Sequence, residues 1–320
     1  MISYGYKLMS EEHGPKELVR NAVCAEQAGF SFAAISDHFS PWLEEEGHAP
    51  FAWSVLGAIA NATHGIGLMS AVTCPIMRYH PAIVAQAAAT VALLSDNRFT
   101  LGLGAGERLN EHIVGAGWPD VGERHDRLSE ALDIIKGLLA GELSHFHGNH
   151  FRLDHARLFD RPARPVPIVV AAGGPQAARI AGGKGDGLIA TAPRADLVEA
   201  YGLAGGDGPR YAEVALSVAD REEDARQIAH RYFRWSTIGE PMAELPTPHA
   251  FAEATQPVSP QAVAEQISCG PSAEAHLAAI DRYIQAGYDR LILVQIGPDQ
   301  DRFFEFFERQ LAPRLPRERG

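Results

Sequence analysis

The chain is 320 residues long, and its 46% hydrophobic content is enough to bury the core of one barrel-sized domain spanning residues 1–320. A formal net charge of −12 argues against nonspecific nucleic-acid binding and against a basic membrane-surface protein, while leaving room for a local basic site that meets an anionic small molecule. Three widely spaced cysteines, Cys24, Cys74 and Cys269, provide neither a disulfide framework nor a thiolate zinc site. With no leader-like start at Met1-Ile2-Ser3-Tyr4 and no apolar run of membrane-spanning length, a soluble protein of the reducing cytoplasm is expected.

In chain order, strand one is predicted at residues 3–8 and a helix at 15–28, where Pro15 suits the first turn and Leu18, Ala22, Ala25 and Ala28 share a face. Strand two at 32–36 leads to a helix at 51–61, strand three at 67–72 to an alanine-rich helix at 81–94, and strand four at 99–104 to a helix at 124–139. Gly148-Asn149 between alternating residues predicts a hairpin at 146–151. Strand five follows at 167–171, a helix from Pro175, strand six at 187–190, and strand seven at 213–218 with a helix at 222–233. Residues 234–271 are proline-rich without clean periodicity, and are expected to form an insertion after strand seven that covers part of the barrel mouth. Strand eight at 290–296 and a helix at 301–311 close the series. Strand then helix, repeated to eight strands, predicts an α/β fold of the (β/α)8 barrel class, in which all strand C-termini share one face.

Chemistry concentrates at those C-termini. Ser36-Asp37-His38-Phe39-Ser40-Pro41-Trp42 leaves strand two with a hydrogen-bond acceptor, an imidazole that can move a proton near neutral pH, and a flat apolar wall. Leu68 to Pro75, Phe99 to Glu107 and Ile168 to Pro175 are further apolar strands ending in unusual residues. The glycine-rich Gly102-Leu103-Gly104-Ala105-Gly106 lacks the dinucleotide-binding spacing, so it gives little support to a nicotinamide site. His145, His147, His150 and His155 form a histidine-rich run, read as a solvated hairpin with His145 and His147 on one face, and no metal is expected.

Four ordered motifs together carry a family resemblance: Ser36 to Trp42; Val72-Thr73-Cys74-Pro75 with Arg78-Tyr79-His80-Pro81; Gly106-Glu107-Arg108-Leu109-Asn110-Glu111; and Ala171-Ala172-Gly173-Gly174-Pro175. The chain resembles, from Glu11 to Leu315, the glucose-6-phosphate-dehydrogenase-like branch of deazaflavin-dependent oxidoreductases, which belong to the bacterial-luciferase-like barrel superfamily and use coenzyme F420. The resemblance implies that His38 is the base taking the hydroxyl proton of an alcohol, that Glu107 is the acid facing the deazaflavin, and that Trp42 steadies developing charge beside the ring. It further implies that Asp37, Glu11, Ala71, Val72, Ala105, Gly106, Asn110, Ala172, Gly173 and Gly174 line the cofactor, with a non-proline cis bond at Ala71-Val72. Thr191 and Arg194 fall on the loop where relatives hold substrate, and a homodimer is the family expectation.

Elementary chemistry fits these roles. Hydride leaves an alcohol carbon only as the O–H proton is lost, which calls for a base with pKa near the working pH, as an ordinary imidazole has. A Glu107 kept protonated by burial would quench charge on the ring, and glycines 173 and 174 would admit an anionic tail to the helix N-terminus at Pro175. Relatives that hold a sugar phosphate have a lysine at the Arg194 position, joined by a later lysine and arginine; here those later positions fall near Ala264 or Glu265 and near Ala279. Glucose 6-phosphate is therefore expected to be a poor substrate. An FMN-dependent monooxygenase on the same barrel and a noncatalytic cofactor-binding protein remain as alternatives.

Overall fold

Eight parallel strands close into a ring: β1 (Ser3–Leu8), β2 (Phe32–Ile35), β3 (Gly67–Ser70), β4 (Phe99–Leu103), β5 (Ile168–Ala171), β6 (Gly187–Ala190), β7 (Arg210–Ser217) and β8 (Arg290–Gln295). Each pairs with its neighbour in chain order, β7 with both β6 and β8, and β8 with β1. This is the expected TIM barrel. The computed structural model describes residues 2–141 and 144–316; Met1, residues 142–143 and residues 317–320 of the expected 1–320 span lie outside the described residues.

Several strands are continuous apolar runs, as in Ile168-Val169-Val170 and Leu291-Ile292-Leu293-Val294, because helices cover one face and the barrel interior the other. Inside, Ala34, Met69, Val169, Ile189 and Ile292 meet, with Phe32 and Tyr211 packed against them. Lys7 of β1 is also buried; its Nζ donates 2.8 Å to the Ala71 carbonyl and pairs with Glu213 of β7. Prolines open the helices Pro15–Gln27, Pro81–Leu94 and Pro175–Lys184, where the missing N–H costs nothing. Among the described residues no helix is long and apolar enough to cross a membrane.

Several element edges differ from expectation. Strands two, three, four and eight stop a residue or two early: the Ser36 carbonyl turns to accept from Ser10 Oγ at 3.0 Å, while beyond β3 and β8 single backbone bonds continue, from Ala71 N–H to the Ile35 carbonyl at 2.7 Å and from Ile296 N–H to the Leu216 carbonyl at 3.0 Å. Strand seven starts at Arg210, not at residue 213, since Arg210-Tyr211-Ala212 pairs with β6 on one side and β8 on the other while Asp289 holds the Arg210 guanidinium at 2.6 Å. The helix expected at 124–139 runs Val121–Ala140, begun early by Asp120, whose Oδ1 accepts from Glu123 N at 2.9 Å. Three helices outside residues 234–271 have no counterpart in the sequence reading, Arg108–Glu111, Ala195–Leu203 and Ala273–Gln285, although the last buries Ala273, His276, Ala279 and Ile280 at helical spacing. The last expected helix is Gln300–Phe306 followed by a wider π turn, Phe307–Leu311.

Residues 234–271 contain two 3-10 turns, Arg234–Ile238 and Glu240–Glu244, and two short helices, Pro248–Ala254 and Pro260–Ala264. They end in Ser268–Cys269, which adds parallel to the end of β7. Trp235 and Phe251 of this segment pack against Trp42.

Candidate active site

The expected site residues all lie on segments that follow strand C-termini, so the barrel gathers them on one face from across the sequence. His38 is at the centre. Its Nδ1 lies 2.6 Å from Glu11 Oε1, delivered by the turn after β1, and its Nε2 lies 3.2 Å from Glu107 Oε1, delivered by the loop after β4. Asn110 fixes both neighbours: its Nδ2 donates to Glu107 Oε1 at 2.9 Å, while its Oδ1 accepts from the backbone N–H groups of Phe39 and Ser40 at 2.7 and 3.0 Å. Gly106, at φ +77°, supplies the left-handed turn that brings the chain to Glu107.

This geometry corrects the expected charge states. Burial alone would drive the His38 proton off, but the Glu11 carboxylate and the contact with Glu107 outweigh it and push the imidazole up to about 10. Burial likewise opposes ionisation of Glu11, yet the facing imidazole brings that carboxyl down to about 2. Glu107 is also lowered, by His38 and Asn110 against burial, so it is not the protonated acid that burial alone would give. All three shifts act in one direction, favouring an imidazolium between two carboxylates.

A pH signature follows. His38 is raised from its ordinary 6.5, so its stabilisation is full below that pH and lost as pH climbs through about 10; Glu11 is lowered from 4.5, so its share is full above 4.5 and lost as pH falls through about 2. The gap in melting temperature between the native protein and His38→Gln should therefore be widest between these two ordinary values and narrow on either side, as measured by thermal melts across pH. A gap independent of pH would contradict the ion pair.

Asp37 is buried beside this group and fully engaged. Thr73 Oγ1 donates to its Oδ2 at 2.8 Å, while Tyr79 OH and Arg78 Nη2 donate to its Oδ1 at 3.1 and 3.2 Å. Arg78 also donates to the Asp37 carbonyl and lies 3.5 Å from Glu111, which makes it a buried clamp between the loops after β2, β3 and β4. The sequence motif contained Arg78 and Tyr79, but no pattern in it announced that role.

Trp42 meets the His38 ring edge-on at 5.0 Å and stacks on Trp235 at 4.5 Å, with Phe251 on a further side. It forms one wall. The Ala71-Val72 peptide after β3 is cis, and Gly104 packs against Val72: a Cβ at Gly104 would sit 2.7 Å from Val72 Cγ2. Ala105 is partly buried and Ala172 buried, the latter donating its N–H to the Ile189 carbonyl at 2.9 Å. Around Gly173 and Gly174 there is open space, with nothing within 4 Å of an added Cβ, and the helix Pro175–Lys184 begins there without a side-chain cap. Thr191 and Arg194 lie on the loop after β6, where their carbonyls accept from Tyr283 and Tyr288. The Arg194 guanidinium is held by Asp196, Nε to Oδ1 at 2.7 Å, on the exposed surface.

The sequence pattern of the luciferase-like monooxygenase family matches residues 3–290. The chain belongs to this family. An F420-dependent glucose-6-phosphate dehydrogenase of Tsukamurella paurometabola is 35% identical to it over 329 residues, 98% of each chain. The enzyme of the same name from Mycobacterium avium is 36% identical, over 99% of this chain and 98% of its own. An F420-dependent secondary alcohol dehydrogenase, solved in complex with an F420-acetone adduct, has the same fold at a TM-score of 0.91 and 28% identity, over 98% of this chain and 99% of that one. The luciferase-like barrel and the family resemblance read from four motifs are thus the observed ones.

Proposed function

We propose that this protein is a coenzyme F420-dependent oxidoreductase that moves a hydride between the deazaflavin and a small alcohol, sugar or carbonyl compound. The observation that carries this reading is the Glu11–His38–Glu107 cluster at the C-terminal end of a luciferase-like barrel whose 35%-identical relatives are named F420-dependent. When bound, the deazaflavin supplies the hydride donor or acceptor, with carbon in place of the flavin N5 nitrogen, which favours two-electron chemistry.

The residues present fit such a group. Val72, Gly104, Ala105, Gly106 and Ala172 would line the ring, and the open ground at Gly173 and Gly174 with the uncapped helix N-terminus would take an anionic tail. Trp42 would wall the substrate side of His38. Asp37 acts through Arg78, Tyr79 and Thr73, holding the loops in register.

His38 moves the proton. In carbonyl reduction the imidazolium gives its Nε2 proton to the substrate oxygen, and Glu11 keeps the ring oriented through Nδ1; in alcohol oxidation the neutral ring takes that proton back. Glu107 Oε1 lies 3.2 Å from Nε2, within reach of that proton, so the acid of the site is the His38–Glu107 pair and not Glu107 alone. The resting charge state suits carbonyl reduction.

Phosphate recognition is weak here. Ala264 or Glu265 and Ala279 stand where the later cations would fall, and Arg194 is tied to Asp196. A phosphate dianion stripped of water needs several charge-assisted donors. F420-linked steady-state assays with secondary alcohols, free sugars and glucose 6-phosphate test this: a secondary alcohol or its ketone is expected to turn over, and glucose 6-phosphate poorly. Efficient, saturable oxidation of the phosphate ester would overturn it.

The same reading takes the chain as one barrel domain with residues 234–271 inserted over the mouth, supported by the Trp42–Trp235–Phe251 contacts. It takes the enzyme as a cytoplasmic homodimer, supported by free cysteines and by exposed Phe51, Ile83 and Leu94 on neighbouring helical segments.

A further inference from the structure

The hairpin outside the barrel holds a cluster that the proposed activity does not use. Its strands, Ser144–His147 and Arg152–Ala156, pair Ser144 with Ala156 and Phe146 with Leu153. One residue, His145, therefore faces two, Asp154 and His155. That is a β-bulge, and it turns two successive side chains toward a single partner where a regular ladder would send them to opposite faces. His155 takes up the distortion with φ +48°, a left-handed conformation that histidine tolerates better than most side chains.

The result is three donor atoms in one place. Asp154 Oδ1 lies 3.1 Å from His145 Nδ1 and 3.6 Å from His155 Nε2, and one ligand atom from each residue lies within 4.8 Å of the others. Donors held at the usual Zn–N and Zn–O lengths in a tetrahedron are separated by about 3.3 Å, so the cluster needs only small rotations to close on an ion. The far end of the hairpin is already anchored: Glu130 accepts the backbone N–H groups of Asn149, His150 and Phe151 at 2.7 to 3.0 Å, and Phe151 and Leu153 are buried.

We infer that His145, Asp154 and His155 form a surface binding site for a divalent transition-metal ion of the zinc type, which clips the base of the hairpin as Glu130 clips its tip. Two imidazoles and a carboxylate suit zinc, nickel or copper and not magnesium or calcium, and three protein ligands leave a fourth position for water. All three side chains are exposed, so the ion reaches the site from solvent, and the chain's negative charge draws cations toward it.

Zinc titration of the chelator-treated, tag-free full-length protein by calorimetry at neutral pH tests the inference. One site in the micromolar range is expected. His145→Ala and His155→Ala should each weaken it by about tenfold or more, and Asp154→Asn should weaken it as well. His147→Ala, on the same strand but outside the cluster, and His249→Ala, in an exposed pair elsewhere, should leave it unchanged. Absence of a micromolar site in the native protein, or zinc binding that survives both His145→Ala and His155→Ala, would overturn the site. Because the residues lie on an exposed ribbon, these variants keep the barrel, which F420-linked turnover at the native rate would verify.

Discussion

His38→Ala should cut F420-linked turnover by about a hundredfold or more while leaving cofactor affinity nearly unchanged. The imidazole is the group at the centre of the site that carries a mobile proton, and it stands between Glu11 at 2.6 Å and Glu107 at 3.2 Å. Without it a substrate oxygen meets two carboxylates, neither placed nor charged to donate a proton. The groups proposed to line the cofactor, by contrast, come from the loops after β3, β4 and β5 and should keep their positions. Glu107→Gln should slow chemistry more than binding for the same reason. Rapid-mixing single turnovers with a competent alcohol and its ketone separate the chemical step from binding; near-native rates in His38→Ala would remove His38 from the mechanism.

Gly102→Ala should destabilise the protein by about 3 kcal/mol, a large part of the stability of an ordinary domain. A Cβ at this position would stand 2.0 Å from the Ser70 carbonyl oxygen and 3.1 Å from Val72 Cγ1. The nearer atom is backbone, so no side-chain rotation relieves the overlap. β3 and β4 must separate, and the separation weakens the contacts in which Ser70 Oγ donates to the Gly102 carbonyl at 3.1 Å and accepts the Gly102 N–H at 3.0 Å. Because the displaced strand leads directly into Ala71 and Val72, F420 affinity should fall with stability. Urea unfolding checks the first effect through its midpoint and cofactor titration the second; a native midpoint in Gly102→Ala would contradict the close strand approach.

What the sequence discloses and what it hides follow from range. Strands such as Ile168–Ala171 are legible because both faces are buried and the apolar run is continuous. β7 opens with Arg210 and Tyr211, so its first pairings are hidden in a mixed run whose Arg210 is neutralised by Asp289, far along the chain. The motifs put His38 and Glu107 on the segments that follow β2 and β4, whereas Asn110 sits in a short helix, Arg108–Glu111, where the sequence reads as loop. The charge of His38 is another matter: it depends on Glu11, which comes from a different strand and reaches the ring only when β1 and β2 pair. Trp42 reads as a wall from its composition, but its stacking partner Trp235 sits in a proline-rich segment without periodicity. The hairpin tip is written in Gly148-Asn149, whereas the bulge that brings His145 to Asp154 and His155 is a register property of the folded ribbon.

The most direct test of F420 dependence is a fluorescence titration of the purified apoprotein with oxidised coenzyme F420 and, separately, with flavin mononucleotide. Binding of F420 is expected to be much tighter than that of the flavin, and to be followed by anaerobic loss of the deazaflavin's visible absorption on addition of a secondary alcohol. Equal or tighter binding of flavin mononucleotide, with oxygen uptake in place of deazaflavin reduction, would contradict it and make the protein a flavin monooxygenase on the same barrel.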